Sequence, residues 1–364
     1  MEAISDNGSA DFQWQPTKCT YEGINHYTSY LIGTQDCKFF MSQGGEYAQG
    51  LYVILYPFIL FEWSTAKVLW VILNLILISS ITILLCIKFK LEKVETYLII
   101  FFILYSIITR VNIIMGQQTI FTLFFLSLPF IYKSKISNIL SGICYFKYNI
   151  GYSLFLFYLI SKKYKQLLLS ILPILFGLII YCLITNTNIL ENLFQPIQLM
   201  IVKSGLGIES GKIFLFFFIR YFFNFNNSLK YLLIITLTFL FNFYFIYKIT
   251  NLENNLLILS CLCLVILIST PHWSHDNILL TPLLIYSVKY YQISNWLSRI
   301  NLLTSVYFLY LFRGVQIYSD KIFNLLQLVN PISSNLYPYI HLIILIAVLY
   351  INIFFNPFIK KENF

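Results

Sequence analysis

The chain has 364 residues, of which 59% are hydrophobic and 11% charged. A soluble domain of this length carries about 25% charged residues, so an ordinary soluble globular protein is excluded. The net charge of +9 sits in lysine clusters flanking apolar runs, where loop orientation in a membrane accounts for it and nucleic-acid binding does not.

The apolar residues recur in blocks, and a bilayer-spanning helix needs about 20 of them. An all-α polytopic membrane protein is therefore expected, since backbone polar groups in lipid must be satisfied within each segment. Residues 1–50 are polar, with no basic start or apolar core of a cleavable signal. Residues 51–61 are apolar but too short to span, and read as interfacial or re-entrant. The first clear span is 68–87, ending at Lys88, Lys90 and Lys93. With that cluster inside, residues 1–67 form an outside segment. Spans at 95–113 and 117–132 follow, joined by an outside turn at Gly116-Gln117-Gln118.

Residues 138–160 have lysines at both ends and Lys147 in the middle. A single span would bury Lys147 at mid-membrane, at about 2.5–3.5 kcal/mol. A short helical hairpin with its tip near Lys147 keeps both lysine clusters inside. A span at 167–184 then leads out to a second outside segment, 186–228, whose interfacial run contains Arg220. Spans at about 230–249, 255–270, 277–292, 300–316 and 338–357 complete one domain over residues 1–364. The total is about nine full spans plus the hairpin and interfacial helices. With this parity Asp11, Gln117, Lys147, Arg220 and His275 face the same side.

The polar residues in this apolar background are the candidates for chemistry. Pro271-His272-Trp273-Ser274-His275-Asp276-Asn277 lies between two apolar runs. His275 can bond a phosphate or position a carboxylate; the alternative is an interfacial histidine beside a Trp273 anchor. Asp11 is either a general base or a solvated loop residue. Lys147 and Arg220 either hold a phosphate or snorkel to the interface. Gln117 either bonds a sugar or caps a helix. None of the seven cysteines has metal-ligand spacing, and no metal or cofactor is expected. Cys19 and Cys37 can pair if their segment lies outside the cell.

Taken in order, these segments resemble glycosyltransferase family 87, polytopic GT-C enzymes that use polyprenyl-phosphate sugars. Five stretches carry the likeness. They are Asp11-Phe12-Gln13 running to Gly23-Ile24-Asn25-His26-Tyr27, like an aspartate loop ending in G-x-N-x-Y; Tyr56-Pro57 followed by Trp63 to Asn74; Gly116-Gln117; Gly142 to Lys147 with the lysines at 162–165; and Ser269 to Pro282, like S-P-x-S-W-x-H-H. In this chain Asp276 replaces the family's second histidine, and His272 stands where serine is usual. Ten residues precede Asp11 where family members carry a helix, so the expected fold is a GT-C-like bundle without that first helix.

The resemblance implies transfer of a hexose, mannose above all, from a polyprenyl-phosphate donor to a glycolipid or glycan hydroxyl. The reaction would run on the extracytoplasmic face of a bacterial plasma membrane, with inversion. It makes Asp11 the base, and gives donor binding to His275, Lys147, Arg220, Gln117 and Trp273. Two other readings stay open from the sequence: a lipid-linked sugar flippase or other transporter, and a catalytically inactive membrane subunit.

Overall fold

The computed structural model describes residues 11–33, 47–205, 227–270, 274–291, 295–311 and 331–355. Every regular element among them is helical. The chain divides into two compact units. The first comprises residues 1–78, 111–152 and 164–210, and the second 79–110, 153–163 and 211–364.

In the first unit the segment ahead of the first long helix is itself helical. It contains α1 (Trp14–Tyr21), α2 (His26–Ile32), α3 (Gln49–Ile54) and α4 (Tyr56–Ile59). Asn25 starts α2 by accepting from the Tyr27 and Thr28 N–H groups at 3.1 and 3.2 Å, the usual role of an N-cap amide. The break between α3 and α4 agrees with an apolar run too short to span.

Next come α5 (Trp63–Lys88), α6 (Lys93–Tyr105), α7 (Ile107–Met115) and α8 (Thr119–Ile131). The single span expected over 95–113 is instead a pair, α6 and α7, bent by 50°. Ser106 is the cause. Its backbone is extended, with ψ of 143°, and its hydroxyl accepts from the Thr109 N–H at 3.0 Å. It thereby caps a new helix rather than continuing the old one. Gly116 makes the turn into α8 with a φ of +69°, a left-handed conformation that costs glycine little.

Helix α9 (Lys135–Ser141) and a 3-10 turn (Gly142–Phe146) end at Lys147, where α10 (Tyr148–Ile160) begins. The break expected near Lys147 is present. Helices α11 (Tyr164–Thr185) and α12 (Ile189–Gly205) complete the first unit. Helix α11 packs on α3, on α9 and on the 3-10 turn. The α3–α11 contact is close because two glycines meet: a Cβ on Gly177 would lie 2.3 Å from the Gly50 Cα.

The second unit adds α13 (Asn227–Ile249), α14 (Asn255–Ser269), a 3-10 segment (Ser274–Leu280), α15 (Thr281–Lys289), α16 (Asn295–Val306), a π turn (Tyr307–Leu311) and α17 (Pro331–Phe354). All residues of α14 from Leu256 to Ser269 are buried, as expected of a helix apolar on every side. Helices α13, α15 and α17 pack around it. Polar side chains bridge between helices: Asn301 and Asn352 exchange amide bonds at 2.8 Å, and Tyr307 bonds His341 Nε2 at 2.5 Å. Such pairs hold helices together where the surroundings offer no competing water.

About nine full spans are expected from the sequence. Among the described residues two helices, α5 and α11, are long and apolar enough to cross a membrane, or three if α6 and α7 count as one bent span. Helix α8, with 13 residues, rises only about 20 Å and is too short to cross a bilayer alone. Several helices present an apolar face outward. On α6 it is Val94, Tyr97, Leu98, Phe101 and Tyr105; on α11 it includes Leu168, Leu175, Phe176, Ile179 and Leu183. A continuous exposed apolar stripe is what lipid contact requires and what water disfavours.

Candidate functional site

Asp11 is half-buried, between α1 and the turn before α8. Its N–H donates to the Met115 carbonyl at 2.9 Å. Both carboxylate oxygens accept hydrogen bonds: Oδ2 from the Tyr47 hydroxyl at 2.5 Å and Oδ1 from Gln13 Nε2 at 3.1 Å. The next residue anchors the segment. Phe12 is fully buried, stacked on Trp70 at 4.8 Å and on Trp63 at 6.1 Å. Trp70 in turn donates from its indole to the Gly116 carbonyl at 3.2 Å. The Asp11 segment and the Gly116-Gln117 turn, far apart in the sequence, are therefore tied together.

Lys147 is 7% exposed, held at the break between the 3-10 turn and α10. Its Nζ donates to Thr119 Oγ1 at 2.8 Å, at the first residue of α8. A closed circuit links this ammonium to the carboxylate. Asp11 bonds Tyr47; the adjoining Ala48 N–H donates to the Phe146 carbonyl at 2.9 Å; Phe146 precedes Lys147; Lys147 bonds Thr119; and four residues earlier Met115 bonds Asp11. Asp11, Gln117 and Lys147, picked from distant parts of the sequence, share this unit. Gln117 is half-buried, with its N–H on the Asn112 carbonyl at 3.0 Å.

Its neighbour Gln118 is the more telling residue, and the sequence reading passes over it. Gln118 is 1% exposed, and among the described residues neither of its amide atoms has a hydrogen-bond partner. A buried amide without partners costs about 1–3 kcal/mol and is uncommon in a folded interior. Lys67, 2% exposed with its Nζ 5.2 Å above the Trp63 ring, is a second buried cation in the unit. The span read from the sequence starts at residue 68, just after Lys67, so the sequence did not mark this lysine as buried. Tyr47 and Gln13 left no mark in the sequence either.

A second polar cluster surrounds His26, which is fully buried. Its Nδ1 lies 3.0 Å from Thr20 Oγ1 and 3.1 Å from the Tyr181 hydroxyl, and its ring packs on Tyr27 and Tyr52 at 4.1 and 4.2 Å. Burial pushes the imidazole down to about 3, so it is neutral. A groove of about 250 Å³ lies nearby between α2 and α12, lined by Thr28, Glu191, Phe194 and Gln195 among others. Asp11 is not part of its lining.

His275 belongs to the other unit. It is 6% exposed, in the 3-10 segment that packs on α14 and α15. Its Nε2 is 3.8 Å from Asp276 Oδ2, an ion-pair distance but too long for a hydrogen bond. Asn277 beside it is fully buried, and neither amide atom has a partner among the described residues. Trp273, His272 and Arg220 lie outside the described residues, as does Cys37. Cys19 is disulfide-bonded, while Cys86, Cys144, Cys182, Cys261 and Cys263 are free. Among the described residues no three His, Cys, Asp or Glu side chains come together as metal ligands.

No protein-family model, curated protein or solved structure matches the chain.

Proposed function

We propose that the protein is a membrane glycosyltransferase, moving a hexose from a polyprenyl-phosphate donor to an acceptor hydroxyl on the extracytoplasmic face. The observation that supports this reading is the circuit of hydrogen bonds and short chain segments from Asp11 to Lys147, which ties a held carboxylate and a buried ammonium to the two ends of the Met115–Thr119 turn. Asp11 takes the proton as the acceptor O–H bond breaks. The acceptor oxygen bonds the anomeric carbon from the side opposite the lipid phosphate, whose C–O bond breaks with its electron pair. Configuration inverts, and the phosphate leaves as an anion.

Charge developing on that phosphate needs donors already in place. On this reading Lys147, which bonds Thr119 at the start of α8, and Gln117 and Gln118 of the same unit supply them. Recognition of a glycolipid or glycan acceptor falls to segment 186–228, whose α12 forms one wall of the groove. The Cys19 disulfide supports an oxidising compartment for the Asp11 segment, as expected for a bacterial plasma-membrane enzyme working on its outer face.

The test is Asp11→Asn in purified protein, assayed with a short-chain polyprenyl-phosphate mannose. A positioned general base contributes about 10²–10⁴-fold, and a loss of that size is expected. Transfer at the unaltered rate overturns the assignment.

A further inference from the structure

We infer that Tyr47 is the positioning residue of the Asp11 carboxylate, a role that rests on reading Asp11 as the base. Its phenol donates to Asp11 Oδ2 at 2.5 Å. A hydroxyl bonded to a carboxylate is a charge-assisted pair, shorter and stronger than a neutral one. The donor is itself fixed at each polar atom. The Tyr47 carbonyl accepts from the Tyr27 hydroxyl at 2.5 Å, and its N–H donates to the Tyr52 hydroxyl oxygen at 3.4 Å. Ala48, the next residue, is tied to Phe146. Tyr27 and Tyr52 are fully buried, and Tyr47 is 7% exposed.

The other carboxylate oxygen is held in the same way. Gln13, which donates to Oδ1, is 1% exposed and has a left-handed φ of 56°, a conformation uncommon for residues other than glycine. Its own Oε1 takes the Tyr52 hydroxyl at 3.4 Å. Tyr52 thus braces both donors. A solvated loop aspartate needs no such frame, because water supplies its hydrogen bonds at no ordering cost.

The frame has two chemical consequences. It fixes which lone pairs remain open to an incoming hydroxyl, the geometry a general base needs. It also favours the charged carboxylate over the protonated acid, since hydrogen bonds to the charged form stabilise it. Tyr47 holds and aims the Asp11 carboxylate, and takes no proton itself.

The experiment compares wild type with Tyr47→Phe in the full-length protein. Dicyclohexylcarbodiimide attacks protonated carboxyl groups, and mass spectrometry reads modification at Asp11 as a function of pH. In Tyr47→Phe, modification should extend to higher pH, because a hydrogen bond to the charged carboxylate is lost. In the transfer assay, kcat should fall about ten- to hundredfold, the loss of one bond to a charged group, with the donor KM little changed. The acidic limb of the rate profile should move upward in pH in the same direction.

An Asp11 modification profile identical in the two proteins overturns the proposal. A shifted profile in a protein that transfers no sugar supports the positioning role while removing the transferase reading. Where Tyr47→Phe does not fold, Tyr27→Phe makes the same comparison by releasing the Tyr47 carbonyl. A shift in the same direction supports the proposal, and an unchanged profile overturns it.

Discussion

Lys147 donates from Nζ to the Thr119 hydroxyl at 2.8 Å, which sets a buried ammonium against the first residue of α8. The N-terminal end of a helix carries partial positive charge and unsatisfied N–H groups. Together the two favour an anion at that point. Lys147→Met should lower transfer about hundredfold, as loss of one preorganised charge does, measured as kcat with saturating donor. Thr119→Val should instead destabilise the fold by about 1.5–3 kcal/mol, read as a fall in the thermal unfolding midpoint.

Gln118 separates function from stability. With neither amide atom partnered among the described residues, replacing it by an apolar residue of similar size removes a desolvation cost. Gln118→Met should raise stability by about 1–3 kcal/mol while lowering transfer. A thermal melt and a transfer assay on the same preparation check both signs, and a destabilised variant would show that the amide serves the fold.

The contact between Gly50 and Gly177 leaves no room for a methyl group. A Cβ on residue 177 would sit 2.3 Å from the Gly50 Cα, backbone that cannot rotate away. Gly177→Ala should cost about 1–3 kcal/mol, the range for overpacking. Because α3 follows directly on Tyr47, transfer should fall as well. Circular dichroism melts in detergent measure the first effect.

The buried His26 predicts a pH dependence of stability. Its imidazole is held at about 3, against 6.5 for an unburied histidine. Between those values the unfolded chain binds a proton that the folded chain does not. Stability therefore rises with pH across this window and is lost as pH falls below about 6.5, by up to about 1.4 kcal/mol per pH unit. His26→Phe should flatten that slope. Unfolding midpoints collected between pH 4 and pH 7 decide it, and parallel slopes in the two proteins would count against the assignment.

The helical class was legible in the sequence, because helix hydrogen bonds join residues four apart and leave a local record, but the starts of α1, α2, α7 and α12 were not. The break at Lys147 followed from the same logic: a lysine inside an apolar run is too costly to place in mid-span. Lys147 stood out for the same reason, whereas Asp11, in a polar segment, stood out only through the family resemblance. The bend at Ser106 was written in the sequence as a serine able to cap, but a serine inside an apolar run is also compatible with an unbroken helix, and packing chose between the two.

What only the tertiary structure decided is which side chains meet. The bond from Tyr47 to Asp11 spans 36 positions, that from Lys147 to Thr119 spans 28, and that from Asn25 to Asn192 spans 167. Bonds of that kind have no period, and nothing in Tyr47 marks it out among 28 tyrosines. Composition and spacing alone established that the chain is helical, that it suits a membrane, and which ionisable groups were expensive to bury. That a phenol and an amide grip the Asp11 carboxylate, and that Gln118 rather than Gln117 is the buried unpaired amide, depended on long-range packing, because hydrogen-bond partners are set by distance in space and not by position along the chain.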